Sequence, residues 1–121
     1  MDVPVATTFD QYVAIIAANS PTATVLDCWR RLDLALQDYG MLLPTPVDAQ
    51  DRDMIEAAIA RDKALGQELA ANLRNLRHIR NRVAHESSVQ LSSEDATSFA
   101  RQTFALVGAL ANRVSELEGA A

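Results

Sequence analysis

Between Pro21 and Gly40 the residues Val25, Trp29, Leu32, Leu36 and Tyr39 recur at intervals of three and four, a period that an α-helix gathers onto one face. The run is bounded at both ends. Ser20 can cap a first turn, Pro21 suits the first helical position, and Gly40 closes the segment. A helix with one apolar stripe is stable only when something covers that stripe, so the rest of the chain has to supply the cover.

It does so with more helix. Thr8-Phe9-Asp10-Gln11 has capping-box spacing, and Phe9, Tyr12, Val13 and Ile16 predict a helix to about Ala18. Met41 to Val47 reads as loop, with Thr45-Pro46 predicted to start a helix reaching roughly Arg61; Asp48, Asp51 and Asp53 suit its positive end. A further helix over residues 64–84 gathers Leu65, Leu69, Leu73, Leu76 and Val83 in a narrow arc, and the pattern leaves open whether it continues the preceding one or breaks near Asp62. After a polar turn, Ser92 or Ser93 can cap a last helix. Its start is favoured by Glu94 and Asp95, and its buried face is Ala96, Phe99, Thr103, Val107, Leu110, Val114 and Leu117.

The chain has 121 residues, 49% of them apolar, with only four Gly and four Pro, and shows neither repeat nor linker. One all-α domain over 1–121 is expected, a compact antiparallel bundle of about four to five helices with its core over about 8–117. Aromatics are 5%, so Leu, Val, Ile and Ala build the core and Trp29 is its expected largest piece. The single cysteine, Cys28, reads as a buried apolar residue in a reducing compartment. With no apolar run of ~18 residues and no signal-peptide pattern at Met1-Asp2-Val3-Pro4, a soluble cytoplasmic protein without membrane contact is expected.

Net charge is −5, which speaks against a broad nucleic-acid-coating surface. Yet Leu69 to His85 holds Arg74, Arg77, Arg80 and Arg82 and no acid, so this segment carries +4 and the remainder −9. On a wheel at ~100° per residue Arg80 falls within ~20° of Leu69, inside the stripe, while Arg74, Arg77, His78 and Arg82 lie off it. A guanidinium keeps its proton, so on that face it must meet a carboxylate, a phosphate or a wetted cleft. Asp33 is the internal candidate and a bound anion the external one. His85 follows where the helix should end, with Asn81 one turn before it. A lone His at a helix end is more often a capping or surface residue than a catalyst.

The segment Leu73-Arg74-Asn75-Leu76-Arg77-His78-Ile79-Arg80-Asn81-Arg82-Val83-Ala84-His85 resembles the signature helix of HEPN domains, whose motif is Arg, a polar residue often Asn, a few more residues, then His. The likeness extends to Pro21 and to Val25 through Asp33, where some HEPN proteins carry Glu in place of Asp33. It spans roughly Pro21 to Leu117, and Arg80, Asn81 and His85 are its specific matches. It implies a homodimer about a two-fold axis, with Arg and His of both subunits lining one cleft. The implied activity is metal-independent RNA cleavage of toxin or phage-defence type, accompanied by an antitoxin protein. His85 would then exchange protons, Arg80 would stabilise charge on the phosphate, Asn81 would orient the reacting groups, and Arg74, Arg77 and Arg82 would hold the RNA backbone.

Two further expectations stand beside this one. A non-catalytic dimeric module would bind a nucleotide, RNA or a protein through the same cleft. A structural arrangement would use Arg80 and Asn81 only to satisfy buried polar groups. Glycine-rich phosphate loops, zinc-ligand spacings and serine-nucleophile motifs do not occur, so no metal and no cofactor are expected.

Overall fold

Ser20 caps the first described helix as its sequence predicts, accepting from Ala23 N–H at 3.2 Å, with Pro21 in the first turn. A computed structural model describes residues 20–86 and 90–120, so the helix expected over 8–18 lies outside the described residues. Four helices follow in order: α1 (Pro21–Met41), α2 (Arg52–Arg61), α3 (Gly66–His85) and α4 (Ser93–Ala120), with no strand among the described residues. None of them is long and apolar enough to cross a membrane.

The third expected helix starts six residues later than Thr45-Pro46 suggested. The Asp48 carboxylate accepts from Gln50 N–H at 2.8 Å, a local turn that competes with helix, and Asp51 then caps α2 through Met54 N–H at 3.2 Å. Ahead of this the chain lies back along α1. Val47 N–H donates to the Gly40 carbonyl at 3.0 Å, and Val47 and Ala49 are buried. Gly40 permits that approach, because a Cβ there would run into the Val47 carbonyl oxygen.

The break near Asp62 is real. Leu65 N–H and Gly66 N–H both return to the Asp62 carbonyl, and Gly66 sits at φ +91°, where a side chain would be strained. The Asp62 carboxylate, almost wholly buried, accepts from Tyr39 Oη (2.9 Å), Arg113 Nε (2.9 Å) and Ala64 N–H (2.9 Å). Burial alone would push its carboxyl pKa up, but these donors together hold it below the usual carboxylate range. The network ties the end of α1, the α2–α3 turn and α4 together.

Helix directions follow from these contacts. Cys28 neighbours Thr103, and Tyr39 meets Arg113 through Asp62, so α1 and α4 run parallel. Helix α3 leaves the Asp62 end and brings Arg77 to Trp29, so it runs against α1. The arrangement is a helical bundle but not a uniformly antiparallel one, since the turns and bends of residues 42–51 return the chain before α2 begins. The most extensive packing is of α1 on α4 and α2 on α3.

The core comprises Val25, Leu32, Leu36 and Tyr39 of α1, Ile55 and Ile59 of α2, Leu73 and Leu76 of α3, and Phe99, Leu106 and Leu110 of α4. Tyr39, not Trp29, is the largest fully buried side chain; Trp29 is half-buried because its ring lies under an arginine instead of filling the interior. Cys28 is buried and free, and desolvation pushes its thiol up against the opposing Thr103 hydrogen bond.

Candidate anion-binding cleft

Along α3 the buried positions begin apolar, with Ala70, Leu73 and Leu76, and then change character at Arg77. Arg77, Arg80, Asn81 and Ala84 fall at i, i+3, i+4 and i+7, one continuous face. On α1 the residues Leu26, Trp29, Arg30 and Asp33 have the same spacing. The two faces meet across a cleft of about 610 Å³, closed by Ala49, Gln50 and Arg52 from the loop and the start of α2. Four arginines thus line one cleft against a single aspartate in a chain of net charge −5. A charge group that is repelled by the rest of the surface finds its attraction concentrated here.

Arg77 is the buried arginine of this set, only 8% exposed, which corrects the expectation that it lies off the stripe as a free surface charge. The true centre of the α3 stripe lies near Leu73, because Ala70 is buried too. Arg77 is then about 40° from that centre. Its Nη1 donates to Glu56 Oε2, and its guanidinium lies 5.7 Å from the centre of the Trp29 ring. Burial pushes the Arg77 pKa down from its ordinary value and the Glu56 carboxylate opposes this. The other Glu56 oxygen accepts from Arg74 Nε at 2.9 Å, so one nearly buried carboxylate holds two arginines. Glu56 went unnoticed in the sequence because α2 is short and its polar positions look like solvated surface.

Arg80 is half-buried, as its place on the wheel required. Nη1 donates to Asn81 Oδ1 at 3.2 Å, whereas Nε is shielded from solvent and has no acceptor. Asp33 lines the same cleft but accepts from Gln37 Nε2 at 3.2 Å and forms no ion pair with Arg80. The internal pair that would have explained Arg80 structurally is therefore not made. An orphaned N–H on a charged group costs about 1–3 kcal/mol, a cost that a ligand oxygen would remove.

His85 is the last residue of α3, exposed, and absent from the cleft lining. The helix, expected to end before His85, runs one residue further to include it, and Glu86 N–H donates to the Arg82 carbonyl. It stands one turn beyond Asn81 on the same flank. Arg74 is 70% exposed while paired with Glu56, and Arg82 is exposed and paired with Glu86 at 3.4 Å. His78 is exposed and borders a smaller depression with Arg52, Arg74, Arg77 and Asn81. Arg30 and Arg52, both part of the main cleft, were missed because each lies outside the basic segment. Among the described residues no three His, Cys, Asp or Glu side chains gather where they could hold a metal ion.

Comparison with models of protein families, with curated proteins and with solved structures finds no match.

Proposed function

We propose that the chain is a HEPN-like RNA-binding module and that the α1–α3 cleft holds a phosphodiester of the RNA backbone. The observation that carries this is the acceptor-less Arg80 Nε within a cleft lined by four arginines. A phosphate oxygen supplies the missing acceptor. Arg77, fixed by Glu56 and Trp29, offers a second, pre-positioned positive charge, so little side-chain entropy is lost on binding. Trp29 and Leu26 give the same cleft an apolar wall against which a base or ribose can rest.

The test is fluorescence anisotropy with a labelled single-stranded RNA and the full chain. Arg80→Met should weaken binding about 10- to 100-fold, from the loss of a charge-assisted hydrogen bond worth roughly 1.5–3 kcal/mol. Arg82→Met, at an exposed pair, should change it little. Affinity should fall as salt rises, with a slope that reports the phosphates neutralised. Undiminished binding by Arg80→Met rejects the proposal.

A second reading, RNA cleavage, is favoured by the exposure of His85 next to Asn81 at the end of α3. Since His85 does not line its own subunit's cleft, a two-fold partner would have to bring the imidazole to Arg80 and Asn81. The ribose 2′-oxygen would then attack the adjacent phosphorus while its proton passes to a base. The bond to the 5′-oxygen would break as that oxygen takes up a proton, leaving a 2′,3′-cyclic phosphate and a 5′-hydroxyl. In this reading the chain is a toxin or defence effector that an antitoxin protein restrains. Cleavage in EDTA should vanish in His85→Ala and in Arg80→Ala, and return on mixing the two variants. His85→Ala protein that cuts RNA at the normal rate excludes it.

A further inference from the structure

Among the described residues a single acid, Asp33, lines the arginine cleft, and the arginines do not use it. Arg30, Arg52, Arg77 and Arg80 share the cleft with Asp33, yet none of them pairs with it among the described residues. Its Oδ2 accepts instead from the neutral Gln37 side chain one turn along α1, at 3.2 Å, and Oδ1 has no hydrogen-bond partner among the described residues. Burial lowers the Arg77 pKa and Glu56 opposes this; Asp33 is near enough to add a smaller opposing effect. A half-buried carboxylate held in this way repels the phosphate that the arginines attract. It weakens the cleft for a bare anion and strengthens it only for a ligand that also brings N–H donors.

The helix positions place those donors. Arg77 lies over the Trp29 ring and α3 runs against α1, so Arg80 stands one turn to one side of that pair and Asp33 one turn to the other. Seven residues of helix rise separate the two by about 10 Å along the cleft, comparable to one nucleotide from its phosphate to the edge of its base. A nucleotide with its phosphate at Arg80 therefore passes Trp29 and presents its base edge to Asp33. Of the four RNA bases only guanine carries two adjacent N–H donors on that edge, at N1 and at the 2-amino group. Adenine and cytosine set one amino group beside a ring nitrogen that a carboxylate repels, and uracil has one N–H between two carbonyls.

We propose that the cleft selects guanosine and that Asp33 is the residue that recognises the base, an inference that rests on the cleft holding RNA. One carboxylate oxygen accepts from N1–H and the other from the 2-amino group, since Oδ2 keeps a second lone pair beside the bond from Gln37. Any other base leaves the carboxylate facing an acceptor or only one donor, so the same residue attracts guanine and turns the others away.

The experiment is fluorescence anisotropy of the full chain with labelled pentaribonucleotides that carry G, A, C, U or inosine at the centre of a uridine run. The G-centred RNA should bind about tenfold or more tighter than those centred on A, C or U, and inosine, which keeps N1–H but lacks the 2-amino group, should fall between. Asp33→Asn, whose Oδ1 can still accept from Gln37, should stay helical by circular dichroism and lose most of the preference for G. Two results overturn the proposal while leaving RNA binding in place: equal wild-type affinities that Arg80→Met still weakens, or an Asp33→Asn protein that binds every RNA more tightly by the same factor, as removal of a plain counter-charge would give. RNAs that fail to bind, or that bind Arg80→Met undiminished, remove the RNA-binding cleft and this proposal with it.

Discussion

Glu56→Ala should be among the most damaging single changes in this chain, though the residue looks unremarkable in the sequence. It strands Arg77, which is 8% exposed, and Glu56 itself has only 12% of its side chain in solvent, so water screens their interaction little. Breaking such a pair costs about 3–5 kcal/mol, because a buried charge loses its counter-charge. The exposed Arg74–Glu56 contact adds less than about 1 kcal/mol. For a chain of this size that loss lowers the melting temperature by roughly 10–20 °C. Removing both charges together, as Glu56→Leu with Arg77→Met, should bring stability back to within about 1 kcal/mol of the wild type, since neither charge is then left alone. Urea unfolding followed by circular dichroism measures all three proteins. The double variant should fold but bind RNA poorly, having lost a cleft arginine. If Glu56→Ala costs less than about 1 kcal/mol, or the double variant is as unstable as the single one, the buried-pair description is wrong.

Two other changes test the scaffold. The Tyr39 hydroxyl is pushed well above its ordinary value of 10.0 by burial and by its hydrogen bond to Asp62, so its contribution is intact below pH 10 and is lost as pH rises further. Asp62 is depressed, so its contribution is intact above the ordinary carboxylate range and is lost on acidification. Denaturant titrations across pH should show both slopes, and Tyr39→Phe should reduce the alkaline one, to which the raised Cys28 thiol also contributes; an unchanged alkaline slope would remove Tyr39 from the account. Gly40→Ala should destabilise by about 1–3 kcal/mol through its clash with the Val47 carbonyl. Gly108→Ala, where a Cβ meets open space in mid-helix, should stabilise by up to about 1 kcal/mol, and equal effects at the two sites would contradict the packing described.

The helices were legible wherever a local signal and an apolar period agreed. Ser20-Pro21 fixed one start, and Ser92 caps α4 through Asp95 N–H at 3.0 Å. Thr45-Pro46 misled because Pro is as good a loop residue as a first helical one. The choice was made by Asp48 and Asp51, and by the burial of Val47 and Ala49 against α1, which is a tertiary effect. The wheel placed Arg80 correctly but displaced Arg77, since leucines alone defined the stripe and the small Ala70 was not counted. Arg30, Arg52 and Glu56 could not be assigned to the cleft from spacing, because their roles depend on which faces of α1, α2 and α3 meet. The parallel course of α1 and α4 was hidden for the same reason.

The central claim is that Arg80 Nε awaits an oxygen from outside the protein. The arginine Nε–H resonances of the labelled full chain, followed by NMR while single-stranded RNA is added, address it directly. The Arg80 signal should shift saturably in step with binding, as a new acceptor forms, while that of Arg82 stays near its starting position. An Arg80 signal that does not move while the RNA is demonstrably bound would contradict the account.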